Sequence, residues 1–207
     1  MEEPDFYNPL DKINLGKNVV DALLSRPSVC LADLPKFSGA GIYAVYYSGD
    51  FKAYAPLADL NRTSSEYPIY VGKATPRGGR KGASAIVSNR TTALFRRIQE
   101  HEASIRAVKS LNVNDFQCRY LVVDDIWISL GESLVIDRFR PLWNVLVEGF
   151  GNHDPGTGRY GGRRPMWDEL HPGRAWAIRC SQARLSAPEI EQQVSEYMDW
   201  LSTRVDF

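Results

Sequence analysis

Six polar residues fall in an order that suits phosphate chemistry: Tyr43, Tyr70, Arg97, His101, Glu132 and Asn144. A lone carboxylate such as Glu132, completed by water, can hold a hard divalent ion such as Mg2+. Such an ion polarises a phosphate and stabilises the leaving oxygen. An arginine stabilises charge on the phosphate in flight, and a tyrosine or histidine takes a proton from an attacking water. Tyr43 and Tyr70 each belong to a short aromatic-glycine word, Gly41-Ile42-Tyr43 and Tyr70-Val71-Gly72. Taken one at a time, these residues also have plainer readings. Strand tyrosines are usually packing, Arg97 can pair with Glu100 or His101 on a helix surface, and Asn144 can cap a turn. Glu132 is harder to dismiss, because an ionised glutamate inside an apolar helix needs solvent, a partner or a metal.

The elements that must position these groups are readable from periodicity. Residues 41–47 and 68–74 alternate as strands, and residues 116–123 form a third. Residues 91–109 carry Leu94, Phe95, Ile98, Ile105 and Val108 at helical spacing, with Thr91 or Thr92 as the cap, and Arg97 and His101 share one face. Asp125 to Phe139 reads as a second helix with Trp127, Leu130, Leu134 and Val135 inward, ended by Pro141. A shorter helical run covers 18–24 and stops near Arg26-Pro27, and a last amphipathic helix covers 188–205. The connection 48–67 is longer than a hairpin loop. Residues 75–92 read as a basic glycine-rich loop, and 149–174 as a turn-rich basic segment containing His153 and His171. The two histidines lack a helical His pair and read as DNA contacts or loop structure.

Composition bounds the function classes. The 207 residues are 43% hydrophobic and 11% aromatic, enough for one domain with appendages or two small ones. Three scattered cysteines, Cys30, Cys118 and Cys180, form no Cys-x-x-Cys pair; neither a zinc site nor a disulfide framework is indicated, and reduced thiols suit the cytoplasm. The acidic start, Met1-Glu2-Glu3-Pro4-Asp5, is unlike a secretory signal, and no stretch approaches the ~20 apolar residues of a membrane span. The net charge is zero, yet it is unevenly spread. From Lys73 to Lys109 nine basic residues face only Glu100 and Glu102, and Arg159, Arg163, Arg164 and Arg174 form a second cluster. A positive middle between acidic ends is the footprint of a phosphate-backbone partner, or of a solvated helix face plus a basic loop.

The ordered set resembles the GIY-YIG nucleases. The two words stand as Gly41-Ile42-Tyr43 and Tyr70-Val71-Gly72-Lys73-Ala74, the helix word as Arg97-Ile98-Gln99-Glu100-His101, and Glu132 and Asn144 complete the pattern. The gap between the two words is longer than in most members and is similar to that in type II restriction endonucleases. Downstream, Gly149-Phe150-Gly151-Asn152-His153, Pro155-Gly156, Trp167-Asp168 and His171-Pro172-Gly173-Arg174 are similar to restriction enzymes that cut CCGCGG. The resemblance implies an α+β fold with a small three-stranded antiparallel sheet flanked by helices. It divides the chain into an extension (1–38), a nuclease core (39–146) and a recognition segment with a C-terminal helix (147–207). It further implies Mg2+ (or Mn2+) at Glu132, catalytic Tyr43, Tyr70, Arg97, His101 and Asn144, and Lys73 as an accessory or alternative base. Double-stranded DNA would meet Arg80, Lys81, Arg96, Arg159, Arg163, Arg164 and Arg174 on a homodimer of a restriction-modification system. A DNA-repair or mobile-element nuclease and a catalytically silent DNA-binding module are the rival readings.

Overall fold

The computed structural model describes residues 11–76 and 91–203. Strand β1 is Val29–Cys30, β2 is Gly41–Tyr47, β3 is Tyr70–Ala74 and β4 is Phe116–Val122. They form one antiparallel sheet in the order β1-β4-β2-β3. The sheet has four strands rather than the three expected from sequence, because Val29 and Cys30 pair with Cys118 and Gln117 at the edge of β4. A two-residue strand carries no periodicity to read.

All seven residues of β2 are buried, and its period-2 alternation splits them between two cores. Tyr43, Val45 and Tyr47 join the larger core with Leu94, Ile98 and Ile105 of the third helix, α3 (Ala93–Arg106). Ile42, Ala44 and Tyr46 join the smaller core with Leu23, Ile128 and Val135. The sheet therefore lies between α3 on one face and α1 (Lys12–Leu24) with α4 (Asp125–Phe139) on the other.

Helix α1 starts earlier than the apolar run 18–24 suggests. Its Gly16 faces α4 so closely that a Cβ there would lie 1.9 Å from a Leu134 methyl. The inward face of α4 also differs from the expected one. Ile128, Gly131 and Val135 are its buried residues, while Trp127, Leu130 and Leu134 are only half-buried. The apolar residues of this helix are not gathered on one face, and both α1 and the sheet cover it, so periodicity does not orient it. Asp124 accepts from the Ile126 N–H at its start, and Arg140 closes it at φ 47° in the left-handed conformation.

The long connection after β2 folds into α2 (Ala55–Asn61). Buried Asn61 fastens it, donating to the Tyr47 and Tyr67 carbonyls and accepting from the Glu66 and Tyr67 N–H groups. After α4 come the short helices α5 (Leu142–Val145) and α6 (Met166–Leu170), then α7 (Ala187–Ser202). The α7 start is fixed by Glu189, whose carboxylate accepts from the Ser186 N–H, and its Ile190, Val194 and Met198 enter the larger core. All three cysteines are free thiols. Among the described residues no helix is long and apolar enough to cross a membrane.

Candidate active site

Strand β2 places Tyr43 at 0% exposure, and α3 places His101 at 1%. His101 occupies one slot of the apolar stripe Leu94, Ile98, His101, Ile105, so helical spacing itself drives the imidazole into the interior. The Tyr43 hydroxyl lies 2.5 Å from His101 Nε2. Burial holds the His101 pKa well below the usual histidine value, and the positive charge of Arg97 adds to the effect. Burial likewise raises Tyr43 well above the usual tyrosine value, with Tyr70 adding and Arg97 opposing. At neutral pH the pair is therefore a phenol and a neutral imidazole, and the hydroxyl donates to an unprotonated Nε2. That arrangement can move a proton from tyrosine to histidine.

The glycine of the second word has a steric reason. Gly72 stands opposite Tyr43 in the β2–β3 register. A Cβ there would fall 2.3 Å from the Tyr43 hydroxyl oxygen. Tyr70, two residues earlier, lies on the same side, with its ring 6.2 Å from that of Tyr43 and 5.1 Å from that of His101. Burial raises its pKa, Arg97 lowers it, and Glu132 raises it.

Arg97 projects from α3 beside the tyrosines. Its Nη2 donates to the Gly151 carbonyl at 2.6 Å, and its Nη1 meets Glu100 at 2.9 Å and His153 Nε2 at 2.5 Å. The surface pairing with Glu100 is thus real, and it coexists with placement in the cluster. The turn following α5 completes this wall. The Phe150 ring stacks on His101 at 4.5 Å, and a Cβ on Gly151 would lie 2.6 Å from the Tyr70 hydroxyl. Sequence reasoning did not single out Phe150, Gly151 or His153 as wall residues. Their string of turn residues was visible, but only the fold brings it against α3.

Glu132 and Lys73 lie on the other side of β3. Their ion pair spans 2.7 Å, and Lys73 also donates to Ser129 Oγ at 3.3 Å. The Glu132 side chain is 19% exposed, and its field is felt at Tyr70. Among the described residues no three His, Cys, Asp or Glu side chains cluster as a metal site. One accessible carboxylate beside hydroxyls suits a hard, largely hydrated ion that takes its remaining oxygens from phosphate; it does not suit zinc. Asn144 acts on backbone. Its Oδ1 accepts from the Val71 N–H and its Nδ2 donates to the Val71 carbonyl, both at 2.8 Å, which pins the strand between Tyr70 and Gly72.

The basic residues separate into two kinds. Arg96, Arg159 and Arg163 are exposed, with no side-chain hydrogen bond or ion pair among the described residues. Arg159 and Arg163 line one shallow depression with Asn152, His153 and Trp176. Arg164 is engaged with Glu169 at 3.0 Å and the Ala177 carbonyl. Arg174, grouped by sequence with the DNA-facing arginines, is instead 5% exposed and ion-paired with buried Asp168. Arg80 and Lys81 lie outside the described residues. His171 is buried, bonded to Tyr54 and Ser110, and serves the core.

No curated protein gives a match to the chain. The family model described as the Eco29kI GIY-YIG domain matches residues 35–198, a span that contains the two words, the Tyr43–His101 contact, Arg97, Glu132, Asn144 and the turn around Gly151. The chain belongs to the Eco29kI GIY-YIG domain family of nucleases.

Proposed function

We propose that the chain is a type II site-specific endonuclease that hydrolyses both strands of DNA at a GC-rich palindrome such as CCGCGG, acting as a homodimer. The observation that carries this reading is the buried contact between the Tyr43 hydroxyl and a neutral His101 Nε2, beside Arg97. Tyr43 accepts a proton from the attacking water while its own phenolic proton passes to Nε2, so no buried phenolate accumulates. The hydroxide equivalent forms a bond to phosphorus as the bond to the 3′ oxygen breaks. Arg97 keeps its Nη2 bond to the Gly151 carbonyl and exchanges its Nη1 bonds to Glu100 and His153 for a phosphate oxygen. Tyr70 donates its hydroxyl to the phosphate, and Asn144 keeps Tyr70 and Gly72 in place through Val71.

Glu132 would hold Mg2+, or Mn2+ in its place, which supplies positive charge to the phosphate and the leaving oxygen. Lys73 fits a charge partner of Glu132 better than a base, since its ammonium is held in an ion pair. The exposed, unpaired Arg159 and Arg163 suit guanine O6 and N7. Arg96, with Arg80 and Lys81, suits the phosphate backbone.

The test is incubation of plasmid DNA with the purified protein and Mg2+, followed by sequencing of fragment ends. Discrete double-strand fragments with one end sequence support the reading. Nicks confined to distorted DNA would indicate a repair-type or mobile-element nuclease instead. A gel shift without cutting would indicate a silent binding module.

A further inference from the structure

Arg174 follows α6 and lies under the wall of the site. Its Nε donates to Asp168 Oδ1 at 2.6 Å and its Nη2 to Asp168 Oδ2 at 2.5 Å. Nη2 also donates to the Gly149 carbonyl at 2.8 Å, and Nη1 to the Phe150 and Asn152 carbonyls, each at 3.1 Å. The guanidinium carbon sits 4.6 Å from the Trp167 ring and 4.8 Å from the Trp176 ring. Of the four carbonyls from Gly149 to Asn152, Arg174 takes three. The fourth, on Gly151, receives Arg97 Nη2 at 2.6 Å. The residue between two of the captured carbonyls is Phe150, whose ring stacks on His101.

We propose that Arg174 is a positioning residue of the nuclease site: by gathering the carbonyls of Gly149, Phe150 and Asn152 it turns the Gly151 carbonyl onto Arg97 and seats Phe150 on His101. The proposal rests on the nuclease reading above and assigns Arg174 no contact with DNA. Asp168 is the counter-charge that lets the guanidinium stay buried. A lysine cannot replace it, because one ammonium has three donors diverging from a point where the site needs a planar fork of five.

The full-length R174K protein tests this. Single-turnover cleavage is measured with DNA saturating, and DNA affinity is measured in EDTA across a salt series. Both are repeated in R97K and in the R97K/R174K double variant. A misplacement of about 1 Å in an active site can cost on the order of 100-fold in rate. R174K should therefore cut bound DNA roughly 10- to 100-fold more slowly, with an unchanged salt slope and affinity within about twofold of wild type. The loss should shrink in the R97K background, because the two residues act through one contact. Three results overturn the proposal: unchanged cleavage by R174K, a loss that simply adds to that of R97K, or weaker binding with a salt slope reduced by about one, the mark of a lost phosphate contact. If R174K does not fold, the D168N/R174Q pair, which removes both buried charges together, is read by the same criteria. A wild-type protein that cuts no DNA refutes the nuclease reading; a cutting wild type matched by R174K refutes only the role of Arg174.

Discussion

The Tyr43 hydroxyl lies directly over Gly72, close enough that a β-carbon there would stand 2.3 Å from its oxygen. The two words of the sequence are therefore one steric unit: the second supplies the space that the tyrosine of the first occupies. In G72A the Tyr43 ring must shift away from residue 72, which disturbs its 2.5 Å contact with His101 Nε2. Cleavage should fall about 10- to 100-fold, with DNA affinity nearly unchanged. Single-turnover rates beside a gel-shift titration check this, and a wild-type rate in G72A would remove the need for that geometry.

Proton transfer should depend on both members of the buried pair. Y43F should lose on the order of 100- to 10,000-fold in cleavage rate, and H101A should behave similarly. If Y43F cuts as fast as wild type, Tyr70 becomes the proton-moving tyrosine.

The buried histidines also predict how stability responds to acid. Burial lowers the pKa of His101, and that of His171 to about 3. In the unfolded chain both return to about 6.5. The unfolded state then binds more protons than the folded state below that value, so stability is full above about pH 6.5 and falls as pH drops toward the folded pKa. Thermal midpoints should decline over that range, and H171N, which cannot titrate there, should decline less steeply. Equal slopes in wild type and H171N would show that His171 is not held neutral.

Glu132 and Lys73 are partly exposed, 19% and 37%, so their ion pair contributes only about 0–1 kcal/mol to stability. E132Q should therefore unfold at nearly the wild-type temperature and bind DNA, yet lose cleavage in both Mg2+ and Mn2+. Full activity in E132Q would exclude it as the metal ligand.

Among the arginines, R159A and R163A should relax or abolish discrimination at the target site, each by about 1–3 kcal/mol if it reads a guanine bidentately. R164A, which breaks the contact with Glu169, should alter stability more than sequence preference. Cleavage of a panel of single-base variant sites separates the two effects.

Much of this arrangement is legible in the sequence where a residue type and a local period coincide. Strands β2 and β4 and helices α3 and α4 appear nearly where alternation or helical spacing puts them, and they carry Tyr43, His101, Arg97 and Glu132. Three things are not legible. The pairing of Val29 and Cys30 with β4 depends on a distant partner. The inward face of α4 depends on α1 lying against Gly131, where a β-carbon would stand only 2.7 Å from Val19. Arg174 looks like its exposed neighbours in a basic run, because the run does not disclose that Asp168 lies buried beside it. Charge patterning reports composition along the chain, whereas burial is set by what packs over it.

The clamp of Asn144 on Val71 reaches beyond catalysis. Strand β3 is the outer strand of the sheet, and its free side would ordinarily offer unpaired amide and carbonyl groups to a neighbour. Asn144 takes both groups of Val71, and the Trp143 N–H takes the Ile69 carbonyl. This border of the sheet is thereby covered at Ile69 and Val71. Pairing of another strand along these residues would first have to break the Asn144 clamp, so the fastening that holds Tyr70 and Gly72 in place also guards this edge against self-association.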